Sequence, residues 1–238
     1  MNWNISPNIS VGTSGDDRPL LVLDIETIPD DRFHQGDEFP KLLHHQVIAV
    51  AGLFASYVAD GDSSHFEING VSCCGEIGSP ESELVVEIFD FIEEFRPRLI
   101  TFNGRGFDLP VLRYRALQYG ISAPWYSNGA TRWENYDQRF RPEWHCDLMD
   151  VFTGYGASKA AKLGEMCDLL DIPCKPGFDG ADVLDRFRAG QMREIRDYAI
   201  SDVIATYALF LKYALFRGEI NSEGYARSTK CLADLKVG

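Results

Sequence analysis

The chain has 238 residues, 45% of them hydrophobic and 12% aromatic, enough apolar side chains for one large core rather than two small ones. Its formal net charge of -13 excludes a broad basic face of the kind that coats duplex DNA, while a small acidic site that gathers divalent cations is compatible with it. Six cysteines without a CxxC pair exclude a zinc framework and a disulfide scaffold, and with no cationic-apolar leader and no long uncharged apolar run the expectation is a cytoplasmic protein without a membrane span.

Residues 1–18 are polar and lack periodicity, which predicts a flexible N-terminal arm. Leu20 to Ile25 is a short apolar run that reads as a strand buried on both faces, and Gln46 to Tyr57 and Ser64 to Ile68 read as two more. Glu81 to Phe95 has apolar residues at helical spacing and stops before Pro97; Leu99 to Phe102 is then a buried strand. The turn Asn103-Gly-Arg-Gly leads into a helix from about Phe107 to Tyr119 that ends at Gly120. Trp144 to Met149 reads as a fifth strand, followed by helices over Ala160 to Leu170, Ala181 to Ala189 and Gln191 to Phe216. No internal repeat or linker divides this body, so one α/β domain over 19–216 is expected, a mixed five-stranded sheet with helices against it, followed by a C-terminal tail over 217–238.

Asp24 and Glu26 lie two apart at the end of the first strand, so strand alternation puts both on one face. Two carboxylates that close are relieved by a bound divalent cation, or else the strand simply ends there and both are solvated. Asp202 is more telling. A helical projection of 191–210 puts it in an apolar stripe with Ile195, Ala199, Thr206 and Leu209, where a charge needs a partner, whether a metal or an arginine. Tyr198, one turn earlier, faces the same way. Asp108 precedes Leu109-Pro110 and reads equally as a helix cap, although the glycines of the preceding turn would let the chain return toward Asp24 and Glu26.

The ordered set DIET at 24–27, Asn103 followed by Phe107-Asp108, and Tyr198 followed by Asp202 resembles the three exonuclease motifs of the DEDD superfamily, tyrosine subclass. The likeness is nearest to the proofreading domain of family B DNA polymerases and to stand-alone bacterial proteins related to it. It covers about Leu20 to Phe216, including His145-Cys-Asp-Leu-Met-Asp and Lys175-Pro-Gly-Phe-Asp-Gly. Each motif alone is weak, and the three in order are specific. The resemblance implies a ribonuclease H-like fold and a free-standing 3′-5′ exonuclease acting on nucleic acid with a free 3′ end, single-stranded DNA in the first instance. It implies one Mg²⁺ or Mn²⁺ held by Asp24, Glu26 and Asp202 and a second bridged by Asp24 and supported by Asp108, the pair about 3.5 to 4 Å apart. Tyr198 would orient the attacking water, and Thr27, Asn103 and Phe107 would position the strand.

Other features point less sharply. The segment Trp125 to Trp144 holds three of the four tryptophans, with Arg132, Arg139 and Arg141, and reads either as a base-stacking surface or as an ordered loop over the sheet. Lys159, Lys162 and Lys175 are candidates for phosphate contacts or solvated lysines; His145 reads as structural, and His44-His45 carries no signal. A haloacid dehalogenase-type phosphatase also begins with an apolar strand ending in acid-x-acid-x-Thr, which DIET could imitate, but its second acid is normally Asp and its later motifs have no match here. An exoribonuclease of the same chemistry, or a non-catalytic nucleic-acid-binding module, are the remaining alternatives.

Overall fold

A computed structural model describes residues 18–34, 36, 38–129, 131–174 and 180–235. Nearly all of the expected N-terminal arm, and 175–179 of the Lys175 turn with its candidate phosphate-contacting lysine, lie outside these residues.

The five strands are β1 (Leu20–Pro29), β2 (His45–Val58), β3 (His65–Cys74), β4 (Arg98–Thr101) and β5 (His145–Asp147), in the order β3-β2-β1-β4-β5. The first three form an antiparallel meander, and β4 and β5 add parallel to β1. The helices are α1 (Glu81–Phe95), α2 (Asp108–Tyr119), α3 (Pro124–Ser127), α4 (Leu148–Phe152), α5 (Leu163–Leu170), α6 (Val183–Arg188), α7 (Met192–Arg217) and α8 (Ser222–Ala233). The mixed sheet flanked by helices is the expected architecture.

Strand alternation divides the core in two. Leu20 and Val22 pack with Ala199, Val203 and Phe210 of α7, whereas Leu21, Leu23 and Ile25 pack with Ile88 of α1 and Leu112 of α2. Both faces of β1 are therefore covered, which is why Leu20 to Leu23 has no polar residue. By the same alternation, positions 24 and 26 continue the face that looks toward α7. That helix is long and apolar enough to cross a bilayer by length and composition, but here it packs across β1, β2 and β3.

A buried ion cluster pins the end of β1. Arg115 of α2, only 1% exposed, donates to Asp30 at 3.1 Å and to Glu81. The other oxygen of Glu81 accepts the backbone N–H of Val47 at 2.6 Å, and Tyr119 donates to Glu81 at 2.7 Å. One guanidinium thus joins the exit of β1, the entry of β2 and helices α1 and α2.

Two expectations change, and one of two open readings gains support. β5 stops at Asp147 because that carboxylate accepts the backbone N–H groups of Met149 and Asp150 and so starts α4, where a strand to Met149 was expected. The segment expected as a C-terminal tail carries α8, docked on β3. Ser228 of α8 accepts the Phe66 N–H at 2.9 Å, and a side chain at Gly224 would collide with the Ser64 carbonyl. In the Trp125 to Trp144 segment, Trp125, Tyr126 and Tyr136 are buried and the Tyr136 hydroxyl donates to Pro97 O; these rings extend the α1–α2 core, and only Trp133 and Phe140 stand out to solvent.

Candidate active site

Asp24 and Glu26 occupy the last regular stretch of β1, on the face toward α7. Immediately afterwards the β1–β2 ladder slips, with Glu26 opposite Ala49 but Thr27 opposite Val47, so that Ile48 is an extra residue on β2. Such a bulge bends the pair and re-aims the side chains that follow. Ile25, Glu26 and Thr27 line one cavity at this end of the strand.

The turn after β4 delivers Asp108. Its Oδ1 accepts the backbone N–H of Ile25 at 3.0 Å, tying this carboxylate to the strand between Asp24 and Glu26. The expected approach is therefore present, but the glycines work differently from expectation. Asn103 is the residue with positive φ, at 67°. Gly104 and Gly106 are needed for clearance, since a Cβ would come within 2.5 Å of the Thr101 side chain or 2.4 Å of Asn103 Oδ1.

A second carboxylate fixes this turn. Asp147 accepts the N–H of Asn103 at 3.0 Å and of Arg105 at 2.8 Å, besides starting α4. Sequence reasoning gives Asp147 no role of its own, although an Asp directly before Leu-Met-Asp-Val-Phe is a helix-start signal that could have found half of it. His145 is buried and bonded to Thr101 Oγ1 at 2.8 Å, the structural role expected of it. Asn103 itself is exposed and lines a cavity of about 390 Å³ with Arg105, Arg139 and Asp150. Lys159 and Lys162 are exposed.

From α7, Asp202 and Tyr198 are half-buried on the face toward β1, and the Tyr198 hydroxyl donates to the Asp202 carboxylate. Burial, then the charges of Asp108, Glu26 and Asp202, raises the Asp24 pKa well above the carboxylate range. Burial does the same to Glu26, reinforced by Asp202 and Asp108. Burial takes Asp108 to about 7 against the opposing pull of two backbone N–H groups, and Asp202 to about 6 against the Tyr198 hydrogen bond. Tyr198 is pushed up by burial and by the neighbouring acids, so it stays protonated.

Four carboxylates that each resist ionisation beside the others constitute a site in want of positive charge. An all-oxygen, anionic donor set suits hard divalent cations such as Mg²⁺ or Mn²⁺. Among the described residues no three acidic, His or Cys side chains already stand at ligating spacing. The set therefore fits such ions in chemistry and location, and the side chains would have to draw inward around them.

Next to Glu26 opens a cavity of about 610 Å³, lined by Thr27, Phe39, Pro40, His45, Phe107 and Leu184 among others. Phe107, expected near the substrate, sits edge-on to His45 with ring centroids 5.0 Å apart, and Phe39, 77% exposed, completes a triangle of rings at 5.2 Å from His45 and 6.4 Å from Phe107. Neither Phe39 nor His45 is singled out by the sequence, because their neighbour Thr27 lies on the preceding strand and no periodicity links them.

Residues 37–236 match the family model described as "Predicted 3′-5′ exonuclease related to the exonuclease domain of PolB". The match includes Asp108, Tyr198 and Asp202 and begins after Asp24 and Glu26. The chain is 30% identical over 149 residues to a catalytic subunit of DNA polymerase epsilon from Emericella nidulans, an alignment covering 56% of this chain and 6% of that protein. It is 27% identical over 219 residues to a catalytic subunit of DNA polymerase epsilon from Arabidopsis thaliana, covering 82% of this chain and 10% of that one. Among solved structures, the family B DNA polymerase from Pyrobaculum calidifontis superimposes with a TM-score of 0.57 at 18% identity, covering 84% of this chain and 24% of the polymerase. That likeness is one of fold, and agrees with the ribonuclease H-like arrangement expected.

Proposed function

The chain belongs to the family of predicted 3′-5′ exonucleases related to the exonuclease domain of PolB, and from that premise we propose that it removes single nucleotides from the 3′ end of single-stranded DNA, using two divalent cations, Mg²⁺ or Mn²⁺, in the manner of the DEDD tyrosine subclass. The observation that carries this reading is the meeting of Asp24, Glu26, Asp108 and Asp202 around the central strand β1, each raised in pKa, with the Tyr198 hydroxyl held by Asp202. A net charge of -13 favours a strand end threaded into a cavity over a duplex laid along a surface.

In this mechanism Asp24, Glu26 and Asp202 would hold one cation, and Asp24 and Asp108 the other; such ions would supply charge neutralisation at the terminal phosphodiester and a lowered pKa for the attacking water. The Tyr198 hydroxyl keeps its proton and donates it in the hydrogen bond to Asp202, so toward the water its oxygen acts as an acceptor; it would take a hydrogen bond from that water and turn a lone pair toward phosphorus. A bond forms from the water oxygen to phosphorus and the bond to the penultimate O3′ breaks, the water giving up a proton to solvent and the leaving O3′ taking one up from it. The products are a nucleoside 5′-monophosphate and a strand one residue shorter.

The test is incubation of 5′-labelled DNA and RNA strands, single and duplex, with Mg²⁺, Mn²⁺ or chelator. Single-stranded DNA should shorten stepwise from its 3′ end only with metal, and Asp24→Ala and Asp202→Ala should abolish this. Activity retained in either variant sinks the assignment; faster loss of RNA turns the substrate to the ribo form.

A further inference from the structure

At the end of β1 remote from the carboxylates, Leu20, the start of β4 and the loop after α7 wall a cavity of about 300 Å³. Glu26 lies six positions on from Leu20, about 20 Å of extended chain, so this cavity is separate from the candidate active site. Its charged lining is Arg18, Arg98 and Arg217 against Glu143 and Glu219, a local excess of one positive charge in a chain whose net charge is -13. The acids are not shared evenly. Arg98 donates to both oxygens of Glu219, at 2.7 and 3.3 Å, and to the Pro142 carbonyl at 2.7 Å, while Arg217 meets the same carboxylate at 3.1 Å. Arg18 lies over the Trp144 ring, 3.6 Å from its centroid. A ring face steadies a guanidinium but accepts none of its in-plane N–H groups. Nη1 of Arg18 is buried and has no hydrogen-bond partner among the described residues, and burial lowers the pKa of this side chain.

A buried donor on a charged group requires an acceptor, and the planar fork of a guanidinium is matched by the oxygens of a carboxylate or a phosphate. Glu219 balances one of the three guanidinium groups, which leaves two against Glu143. A carboxylate has two oxygens in one plane and serves one fork; the tetrahedral oxygens of a phosphate point apart and can serve donors on two walls at once. A cavity of this volume stands at the small end of the range for small-molecule sites, too small for a nucleic-acid strand and large enough for a mononucleotide. We propose that it is a second ligand site, which holds the phosphate of a phosphomonoester of up to mononucleotide size, or inorganic phosphate itself, between Arg18 and Arg217. The inference does not depend on the exonuclease reading, since the four carboxylates and their cations take no part in it.

Isothermal titration calorimetry on the metal-free full chain, in phosphate-free buffer cleared of cations with a chelating resin, takes inorganic phosphate, thymidine 5′-monophosphate and thymidine as probes. Without cations the carboxylate cluster repels an anion, so saturable binding reports the arginine cavity. At least one of the two phosphates should bind once per chain, with a Kd of about 1 mM or tighter from two or three charge-assisted hydrogen bonds, and thymidine should not bind. A nucleotide held more tightly than phosphate identifies the mononucleotide as the ligand; equal or weaker binding identifies the inorganic ion. Arg18→Gln should weaken binding about tenfold or more. Glu143→Gln, which removes the opposing carboxylate, should strengthen it several-fold, a gain that a misfolded variant cannot imitate. Asp202→Ala should leave it unchanged. Absence of saturable binding by either phosphate overturns the inference, as does wild-type affinity in Arg18→Gln or a loss of binding in Asp202→Ala, which would place the anion at the other end of β1.

Discussion

Asn in place of Asp108 should make the metal-free protein more stable. The Asp108 carboxyl is 4% exposed, and burial raises its pKa from an ordinary 3.8 to about 7. Between the unfolded and folded values the native state binds the extra proton, so stability is lost as pH rises from about 4 to about 7. Three units at about 1.4 kcal/mol each amount to about 4 kcal/mol. Asn keeps the oxygen that accepts the Ile25 N–H and has no charge to desolvate; it also removes a repulsion that raises Asp24 and Glu26. With chelator at pH 8, Asp108→Asn should melt roughly 8 to 16 °C above the wild type, and the gap should nearly close at pH 4. Added Mg²⁺ should raise the wild type more than the variant, whose exonuclease rate should fall by about 100-fold or more. Circular-dichroism melts at pH 4, 6 and 8 with and without chelator decide it; a variant no more stable than wild type at pH 8 would refute the reasoning.

Tyr198→Phe, which leaves the carboxylates intact, should slow single-turnover hydrolysis by about 10- to 100-fold, less than either Asp24→Ala or Asp202→Ala; a wild-type rate would remove the hydroxyl from the mechanism. Asp147→Ala strands the backbone N–H groups of Asn103 and Arg105 and should cost about 2 to 4 kcal/mol in urea unfolding, with a loss of activity larger than the lost folded fraction explains. Arg115→Met leaves Glu81 buried without its cation and Asp30 with Arg32 alone, and should destabilise by about 3 to 5 kcal/mol; Glu81→Gln added to it should recover part of that loss, and a double variant no better than the single one would remove the cluster's electrostatic role.

Much of the site was legible because its acids break strong apolar patterns. Asp24 and Glu26 interrupt a strand buried on both faces, and Asp202 interrupts the stripe of α7. What escaped the sequence is made of contacts without periodicity. His45 meets Thr27 across 18 residues, and Asp147 grips a turn 44 residues earlier through backbone groups that leave no trace in side-chain chemistry. Helix α8 was missed for another reason: the residues it buries are Gly224 and Ser228, small side chains suited to close approach rather than to hydrophobic burial. The aromatic segment left two readings open because rings suited to stacking bases are equally suited to packing on one another, as Trp125, Tyr126, Tyr136 and Trp144 do here.

The Ser228 contact also bears on solubility. β3 is the outermost strand of the meander, and an outermost strand offers a row of amides on which another chain can add a strand of its own. At Phe66 that amide is already occupied by the Ser228 hydroxyl, and α8 lies across the strand that a newcomer would have to approach. The opposite margin, β5, is three residues long, too short to template much. Removing α8 would leave the carboxylate cluster untouched and yet open the one long margin of the sheet to self-association.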